Sequence, residues 1–233
     1  MRHSLLHRTV LLSVAMMIAA AAAIGFSLWQ SHEDAIEDAR QNATNVATML
    51  AGQVGHSVRS IDLVLDQVLE QLDDVEYRNA ADFNQAVVSK KIYDFMVERL
   101  ARLPQAESMT ISGADGEALV SSRGWPTEKR NLGDRDYFIH NRDNRGGKTF
   151  VSEPVFSKTT NVWSMFFARR IETKAGEFLG VLTIGTHPMH FLDAYSSIGS
   201  IPGAAAILAR TDGTVYLRVR SEEHTSELQS HSF

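Results

Sequence analysis

Residues 162–185 read VWSMFFARRIETKAGEFLGVLTIG, and this stretch decides how the folded part of the chain is built. Two segments within it, 162–171 and 178–185, are rich in aromatic and β-branched residues, which favour strands. Between them, the Lys-Ala-Gly tripeptide at 174–176 ends in the glycine that a tight turn accommodates best. We therefore predict two antiparallel strands joined by a short turn.

Three upstream segments also have strand character. We predict strands over 109–112 and 117–122, joined by a turn at 114–116 that reads Ala-Asp-Gly, and another strand over 149–156. Five short strands at hairpin spacing, with helical patterns before and between them, predict an α+β fold. In this fold one antiparallel, five-stranded sheet is flanked by helices.

Three helices are predicted around this sheet, over residues 82–103, 135–141 and 187–198. Asp82 and Asp134 are the candidate N-caps of the first two, because a carboxylate can accept hydrogen bonds from the free N–H groups of the first turn. Pro104 ends the first helix, and Pro188 suits the first turn of the third.

A much longer helix is predicted over 31–77. This segment contains no proline, and its apolar residues recur at spacings of three and four, with a change of phase near Gly52 and Gly55. Such a helix would extend roughly 70 Å. It can pack on its own domain, or it can form a stalk that pairs with a second copy and transmits motion; we predict a homodimer through this helix.

The segment 9–29, TVLLSVAMMIAAAAAIGFSLW, contains 21 residues without a charge. As a helix it just spans a membrane core of roughly 30 Å. Arg2 and Arg8 precede it, and four acidic residues follow it between positions 33 and 38. Because Lys and Arg stay on the cytoplasmic side, we predict a cytoplasmic N-terminus and a periplasmic or extracellular remainder, anchored in a bacterial inner membrane. The alternative is a cleavable signal peptide, whose apolar region is shorter, about 7–15 residues.

Composition excludes several function classes. The chain has 233 residues, a net charge of −5 and no cysteine. The mild acidity argues against nucleic-acid binding, and without cysteine there is no thiol nucleophile, disulfide or cysteine-ligated metal. The sequence also has no catalytic motif, so we predict no catalytic residue, metal site or cofactor in it. His187 and His190 are three residues apart and could face the same way, but a solvated helix face is the alternative to a metal site.

The densest polar cluster is DRDYFIHNRD at 134–143. On a short helix, Arg135, Tyr137 and His140 can donate hydrogen bonds to an anionic or zwitterionic ligand, and the planar fork of arginine suits a carboxylate. The alternative is structural, with Tyr137 in the core and Arg135 paired only with a neighbouring aspartate.

The strand 162–171 supplies the other candidates. Successive side chains of a strand alternate between two faces, so Trp163 and Arg169 share one face. An aromatic group beside an arginine is typical of a small pocket with apolar walls and few polar groups. We therefore predict a ligand-binding pocket that combines Trp163 and Arg169 with the three helix residues Arg135, Tyr137 and His140.

Two features concern the end of the chain. Residues 109–119 (MTISGADGEAL) and 206–216 (AILARTDGTVY) share a strand, Asp-Gly and strand pattern, 97 residues apart, which predicts that a second similar module begins near Gly203. Asp-Gly hairpins are common, and chance similarity is the alternative. Residues 220–231, RSEEHTSELQSH, resemble the in-frame translation of a sequencing-adapter oligonucleotide; the alternative is a genuine polar tail.

The order of these segments resembles the double Cache (PAS-like, PDC) extracytoplasmic sensor regions of bacterial membrane signalling proteins, closest to those of diguanylate cyclases and histidine kinases. The resemblance rests on GADGEAL, GDRDYFIHNRDN, TFVSEPVFS, VWSMFFARRI and FLGVLTIGTHPMHFLDAY, within residues 1–219. It implies a small-molecule ligand, often an amino acid or carboxylate, bound at Arg135, Tyr137, His140, Trp163 and Arg169.

The resulting domain prediction is a cytoplasmic N-terminus at 1–8, a transmembrane helix at 9–29, a stalk helix at 30–77, a membrane-distal sensor module at 78–202, the start of a membrane-proximal module at 203–219, and an adapter-derived artefact at 220–233. The predicted function is ligand sensing for a transmembrane receptor that controls a cytoplasmic diguanylate cyclase. The alternatives are the sensor of a histidine kinase, a chemoreceptor, or a secreted small-molecule-binding module without enzymatic output.

Overall fold

The hairpin predicted at 162–185 is present and lies inside the main sheet. In the computed structural model, β5 (Trp163–Glu172) pairs antiparallel with β6 (Phe178–Thr186). On its other side β6 pairs antiparallel with β1 (Ala106–Gly113), which in turn pairs with β2 (Ala118–Ser121). The predicted α+β fold with an antiparallel sheet flanked by helices is therefore confirmed.

The structure describes residues 2–73, 77–157, 160, 162–191, 205–210 and 212–220, and for residues 2–11 and 219–220 it describes the backbone only.

The strand predicted over 149–156 is two short strands, β3 (Phe150–Val151) and β4 (Val155–Phe156), so the sheet has six strands rather than five. The strand order is β2-β1-β6-β5-β3, with β4 also paired to β5. Ser152 lies at the interruption, where its Oγ accepts a hydrogen bond of 2.9 Å from the N–H of Phe166. Pro154 follows and has no N–H to donate to a ladder, which explains why the pairing breaks there.

The helix predicted over 82–103 is also divided, into α2 (Ala80–Val87) and α3 (Lys90–Leu100). Asn79, and not Asp82, is the N-cap of α2: its Oδ1 accepts a hydrogen bond of 3.0 Å from the N–H of Asp82. Ser89 starts a new helix in the same way, because its Oγ accepts a hydrogen bond of 3.3 Å from the N–H of Ile92.

The N-terminal helix, α1 (Arg2–Asp73), contains 72 residues. Among the described residues it is the one helix long and apolar enough to cross a membrane, by length and composition, and its most apolar 18-residue window has a mean hydropathy of 2.0. The chain divides into two units, residues 1–51 and 52–233. Within the second unit, α1 buries the apolar side chains that the periodicity predicts, at positions 61, 65, 68 and 72.

Alternate residues of the strands form two chemically different faces. The apolar face packs against α1, α2 and α3, and its central residues are Met109, Ile111, Phe167, Leu182 and Ile184, each at most 1% exposed. The opposite face carries buried hydroxyl groups, and we call it the hydroxyl face. Its residues on β1 and β6 are Ser108, Thr110, Ser112 and Thr183, with Thr110 directly opposite Thr183.

The two predicted Asp-Gly hairpins are present. In each turn the glycine has a positive φ, +83° at Gly116 and +95° at Gly213, a conformation that glycine adopts without strain. The second turn joins β7 (Ala205–Ala209) to β8 (Val215–Arg220), a separate two-stranded sheet. Of the helix predicted over 187–198, a 3₁₀ turn, Pro188–Phe191, is seen, and the rest lies outside the described residues.

Candidate functional site

A short helix, α4 (Asp136–Asp143), covers part of the hydroxyl face. Its N-cap is Arg135, whose side chain makes no capping hydrogen bond, so the predicted cap at Asp134 is wrong. Asp136 instead holds the first turn in place. One oxygen of its carboxylate accepts from the N–H of Tyr137 at 2.7 Å, and the other accepts from the N–H of Glu153 at 2.8 Å.

Two aromatic residues attach α4 to the sheet. The ring of Tyr137 packs on Phe166 of β5 at 5.1 Å between centroids, and Phe138 packs edge-on against Phe178 of β6 at 5.7 Å. Both helix residues are 2% exposed. Burial raises the pKa of the Tyr137 phenol well above its ordinary value, because the charged phenolate would be poorly solvated there.

Beside this aromatic contact, a cavity of about 10 Å³ lies between α4 and the hydroxyl face, with room for about one water molecule. Its lining residues are Thr110, Leu132, Arg135, Tyr137, Ser157, Phe166 and Thr183. The lining therefore combines one cation, three hydroxyl-bearing aliphatic side chains and two aromatic rings.

Arg135 is the charged group of this cavity. Its side chain is 16% exposed, and its Nε lies 3.8 Å from Oδ1 of Asp134, which is beyond hydrogen-bonding distance. Asp134 itself is 63% exposed and belongs to the solvent side. A largely buried guanidinium that makes only a long ion pair with an exposed carboxylate can also bind an anion that enters the cavity.

The structure brings only two of the five predicted site residues to this cavity, Arg135 and Tyr137. His140 lies further along α4, where its exposed imidazole stacks on Phe150 at 4.0 Å between centroids. Arg169 lies on the apolar face: it donates to Oδ1 of Asp66 on α1 at 2.6 Å and to Oγ1 of Thr149 at 3.2 Å.

Trp163 is also on the side of β5 away from α4, and its ring meets Phe156 edge-on at 6.2 Å between centroids. The alternation along β5 was predicted correctly, but the opposite set faces α4. The members of that set are Ser164, Phe166, Ala168 and Arg170. The predicted group of five therefore does not come together as one cluster.

Sequence reasoning missed the hydroxyl residues of the cavity, Thr110, Thr183 and Ser157. A signal for them exists in β1, where Ser108, Thr110 and Ser112 alternate with apolar residues in a strand buried on both faces. Hydroxyl groups at buried strand positions need hydrogen-bond partners, so a regular row of them indicates a buried polar face.

The family model of the Cache domain matches residues 27–229, which is most of the chain. The chain belongs to the Cache domain family. The matched range includes residues 220–229, and the interpretation of this segment as adapter-derived stays a prediction. Cache domains are extracellular sensors, and the predicted family is confirmed.

Solved structures of sensor domains are similar to this Cache domain. The extracellular domain of rpHK1S-Z16, described as a histidine kinase, is 25% identical with a TM-score of 0.66, over 78% of this chain and 71% of that chain. The ligand-binding domain of the Campylobacter jejuni chemoreceptor Tlp3, in complex with L-valine, is 11% identical with a TM-score of 0.61. The match covers 83% of this chain and 76% of that chain. The ligand-binding domain of the Pseudomonas aeruginosa chemoreceptor PctC, in complex with GABA, is 14% identical with a TM-score of 0.53. The match covers 74% of this chain and 73% of that chain.

The second and third of these share the fold alone with this Cache domain. A search of curated proteins found no match to the chain.

In this Cache domain Arg170 fixes the far end of α4. Its side chain is 6% exposed, donates to the backbone carbonyls of Asn141 and Arg142 at 2.8 Å each, and pairs with Glu172 at 2.6 Å. These carbonyls belong to the last turn of a helix, where no N–H of the helix itself can reach them. The Cache domain therefore holds α4 at both ends, by Asp136 and by Arg170.

A wider groove of about 240 Å³ lies between the end of α1 and α3. Its lining residues are Gln71, Lys91, Ile92, Asp94, Phe95 and Glu98. The charged members are exposed and of both signs, which is typical of the solvated side of a helix. The cavity under α4 is therefore the stronger candidate for a ligand site.

Proposed function

We propose that this chain is the sensory part of a bitopic bacterial receptor and that it binds a small carboxylate between α4 and the hydroxyl face. The observation that carries the proposal is the position of Arg135, a mostly buried cation at the start of α4, in a cavity that the hydroxyl groups of Thr110 and Thr183 also line. A guanidinium can bind a carboxylate through two parallel hydrogen bonds, and the hydroxyl groups can bind the polar remainder of the ligand.

Ligand binding would require α4 to move. Small-molecule sites usually measure about 300–1,000 Å³, whereas this cavity measures about 10 Å³. The rings of Tyr137 and Phe166 close it, and both would have to shift to admit even a small acid. Binding would then favour the arrangement in which α4 is displaced, which is the requirement for a ligand to change a conformational equilibrium.

Polar contacts could pass such a change to α1. The carboxylates of Asp62 and Asp66 on α1 bond Thr149 and Arg169, each at 2.6 Å. Thr149 directly precedes β3, and Arg169 is on β5, whose other face carries the cavity residue Phe166. We propose that α1 transmits the change and pairs with a second copy, as the predicted homodimer requires.

For the membrane, we propose an N-terminus in the cytoplasm of a bacterial cell, a span over residues 9–29 in the inner membrane, and a periplasmic sensor. Because the chain contains no cysteine, single introduced cysteines report their side of the membrane. In intact cells a membrane-impermeant maleimide should label the His32→Cys variant and leave the Ser4→Cys variant unlabelled. The reverse pattern would refute this orientation.

The output domain is proposed from resemblance. The sequence resemblance favours a cytoplasmic diguanylate cyclase as the output domain, whereas the 25% identical neighbour favours a histidine kinase. Incubation of the intact receptor with GTP and with ATP separates the two. Formation of cyclic di-GMP would identify a diguanylate cyclase, and autophosphorylation would identify a histidine kinase. If neither product forms, a chemoreceptor is favoured.

Calorimetry on the full chain in detergent micelles tests the site. A panel of short organic acids and amino acids should contain a ligand whose affinity falls at least about 100-fold in the Arg135→Ala variant. Arg142→Ala is the matched control, since Arg142 is on the same helix but is half-exposed and pairs with its neighbour Asp143. A ligand that binds both variants equally well would place the site elsewhere.

A further inference from the structure

The charges around the cavity restrict the class of ligand. Among the described residues that line it, Arg135 is the one charged side chain and there is no carboxylate. Nearby carboxylates already have partners: Asp136 accepts from two backbone N–H groups, and Oε2 of Glu107 lies 3.4 Å from Oγ of Ser164. The remaining neighbour, Asp134, is 63% exposed and lies 3.8 Å from Arg135 itself. The lining therefore offers a partner for an anion and no carboxylate for an ammonium group.

The hydroxyl groups restrict the ligand further. Oγ1 of Thr183 donates its proton to the carbonyl of Thr110 at 3.2 Å. A hydroxyl that has donated its single proton can only accept a further hydrogen bond, so the Thr183 oxygen is available to a donor on the ligand. Oγ of Ser157 already accepts from the N–H of Thr160 at 3.2 Å. Thr183 therefore presents an acceptor oxygen to the cavity, and a hydrogen-bond donor on the ligand suits it.

A hydroxyl and an ammonium group are the two donors that a short acid commonly carries. An ammonium group would enter a largely buried site without a carboxylate to balance it and close to the guanidinium of Arg135, and both effects are unfavourable. A hydroxyl group donates to Thr183 without adding charge. We propose, resting on the function proposed above, that the site selects short hydroxycarboxylates over the amino acids of the same carbon skeleton.

The test compares acids that differ only in this group. Calorimetry on the full chain in micelles should use L-lactate against L-alanine and 3-hydroxybutyrate against 3-aminobutyrate. We expect the hydroxy acid of at least one pair to bind on the order of 100-fold more tightly than its amino analogue. The Arg135→Met variant should lose this binding.

The Thr183→Val variant separates the roles of charge and hydroxyl. It should weaken the binding of the hydroxy acid on the order of tenfold. The affinity for the matched unsubstituted acid, propionate or butyrate, should stay unchanged. Its circular dichroism spectrum and melting temperature, compared with those of the wild type, show whether it is folded.

Each outcome decides between the proposals. Amino acids that bind as tightly as the hydroxy acids, and lose affinity in Arg135→Met, would overturn the selectivity while leaving the proposed site intact. If the Thr183→Val variant loses affinity equally for the hydroxy acid and for the matched unsubstituted acid, the role of Thr183 is overturned. Failure of every acid to bind in an Arg135-dependent manner would overturn the proposed site itself.

Discussion

The apolar face and the hydroxyl face of the sheet are made from alternate residues of the same strands. On β6, Leu182 and Ile184 pack into the core against the helices, while Thr183 between them lines the cavity under α4. Both faces are buried, so exposure does not distinguish them. Their chemistry does: one face stabilises the domain by removing apolar surface from water, and the other keeps polar groups buried under a short helix.

The largest effect should come from the apolar face. Phe167→Ala removes a ring that is 1% exposed, and we expect it to lower the free energy of unfolding by about 3–5 kcal/mol. Phe156→Ala is the control, because Phe156 is 52% exposed and its loss should cost less than about 1 kcal/mol. Urea unfolding of the full chain in micelles, followed by tryptophan fluorescence, measures both. Equal costs would mean that the apolar face is not the main source of stability.

The next largest effect should come from the attachment of α4. Arg170→Met leaves the carbonyls of Asn141 and Arg142 without their donor, and we expect a loss of about 2–3 kcal/mol. Hydrogen exchange should increase in α4 more than in β1 or β6. Arg142→Met, at a half-exposed position of the same helix, should change neither quantity by a measurable amount. A uniform increase in exchange across the sheet would contradict the local role of Arg170.

A smaller effect is expected where α1 meets the sheet. The Asp66–Arg169 pair is half-exposed on its carboxylate side, so a double-mutant cycle with Asp66→Asn and Arg169→Gln should give a coupling of about 0.5–1 kcal/mol. The exposed Lys90–Asp94 pair on α3 is the comparison and should give no more than about 0.5 kcal/mol. Melting temperatures at low and high salt measure both. A coupling of zero for the first pair would remove it from the proposed path to α1.

The smallest effect at neutral pH is expected at Tyr137. Burial raises the pKa of its phenol, so an unfolded phenol with a pKa of about 10 loses its proton before the folded one does. This contribution to stability is fully present below pH of about 10 and is lost as pH rises from there, by about 1.4 kcal/mol per pH unit. The free energy of unfolding of the Tyr137→Phe variant should therefore fall less steeply with pH above about 10 than that of the wild type. At pH 7 the two proteins should differ little. The same slope in both proteins would contradict a neutral, buried phenol.

Local patterns predicted most of the fold. The period of two in 162–185, the two Asp-Gly turns and the apolar spacing of α1 depend on neighbouring residues, and each was found where predicted. The errors are at boundaries. One helix became α2 and α3 because Ser89 can cap a new helix as well as continue an old one, and one strand became β3 and β4 because Ser152 and Pro154 end the ladder.

The sequence by itself determined the strands, the long apolar helix and the fact that side chains of β5 alternate between two faces. It could not determine which of the two sets meets α4, because alternation has the same period whichever side the helix packs on. That choice was made by the tertiary structure. Packing of Tyr137 on Phe166 placed α4 on one face, and the contact of Arg169 with Asp66 placed α1 on the other. The hydroxyl groups of the sheet line a cavity only because α4 covers them, since a cavity requires two surfaces and a strand supplies one.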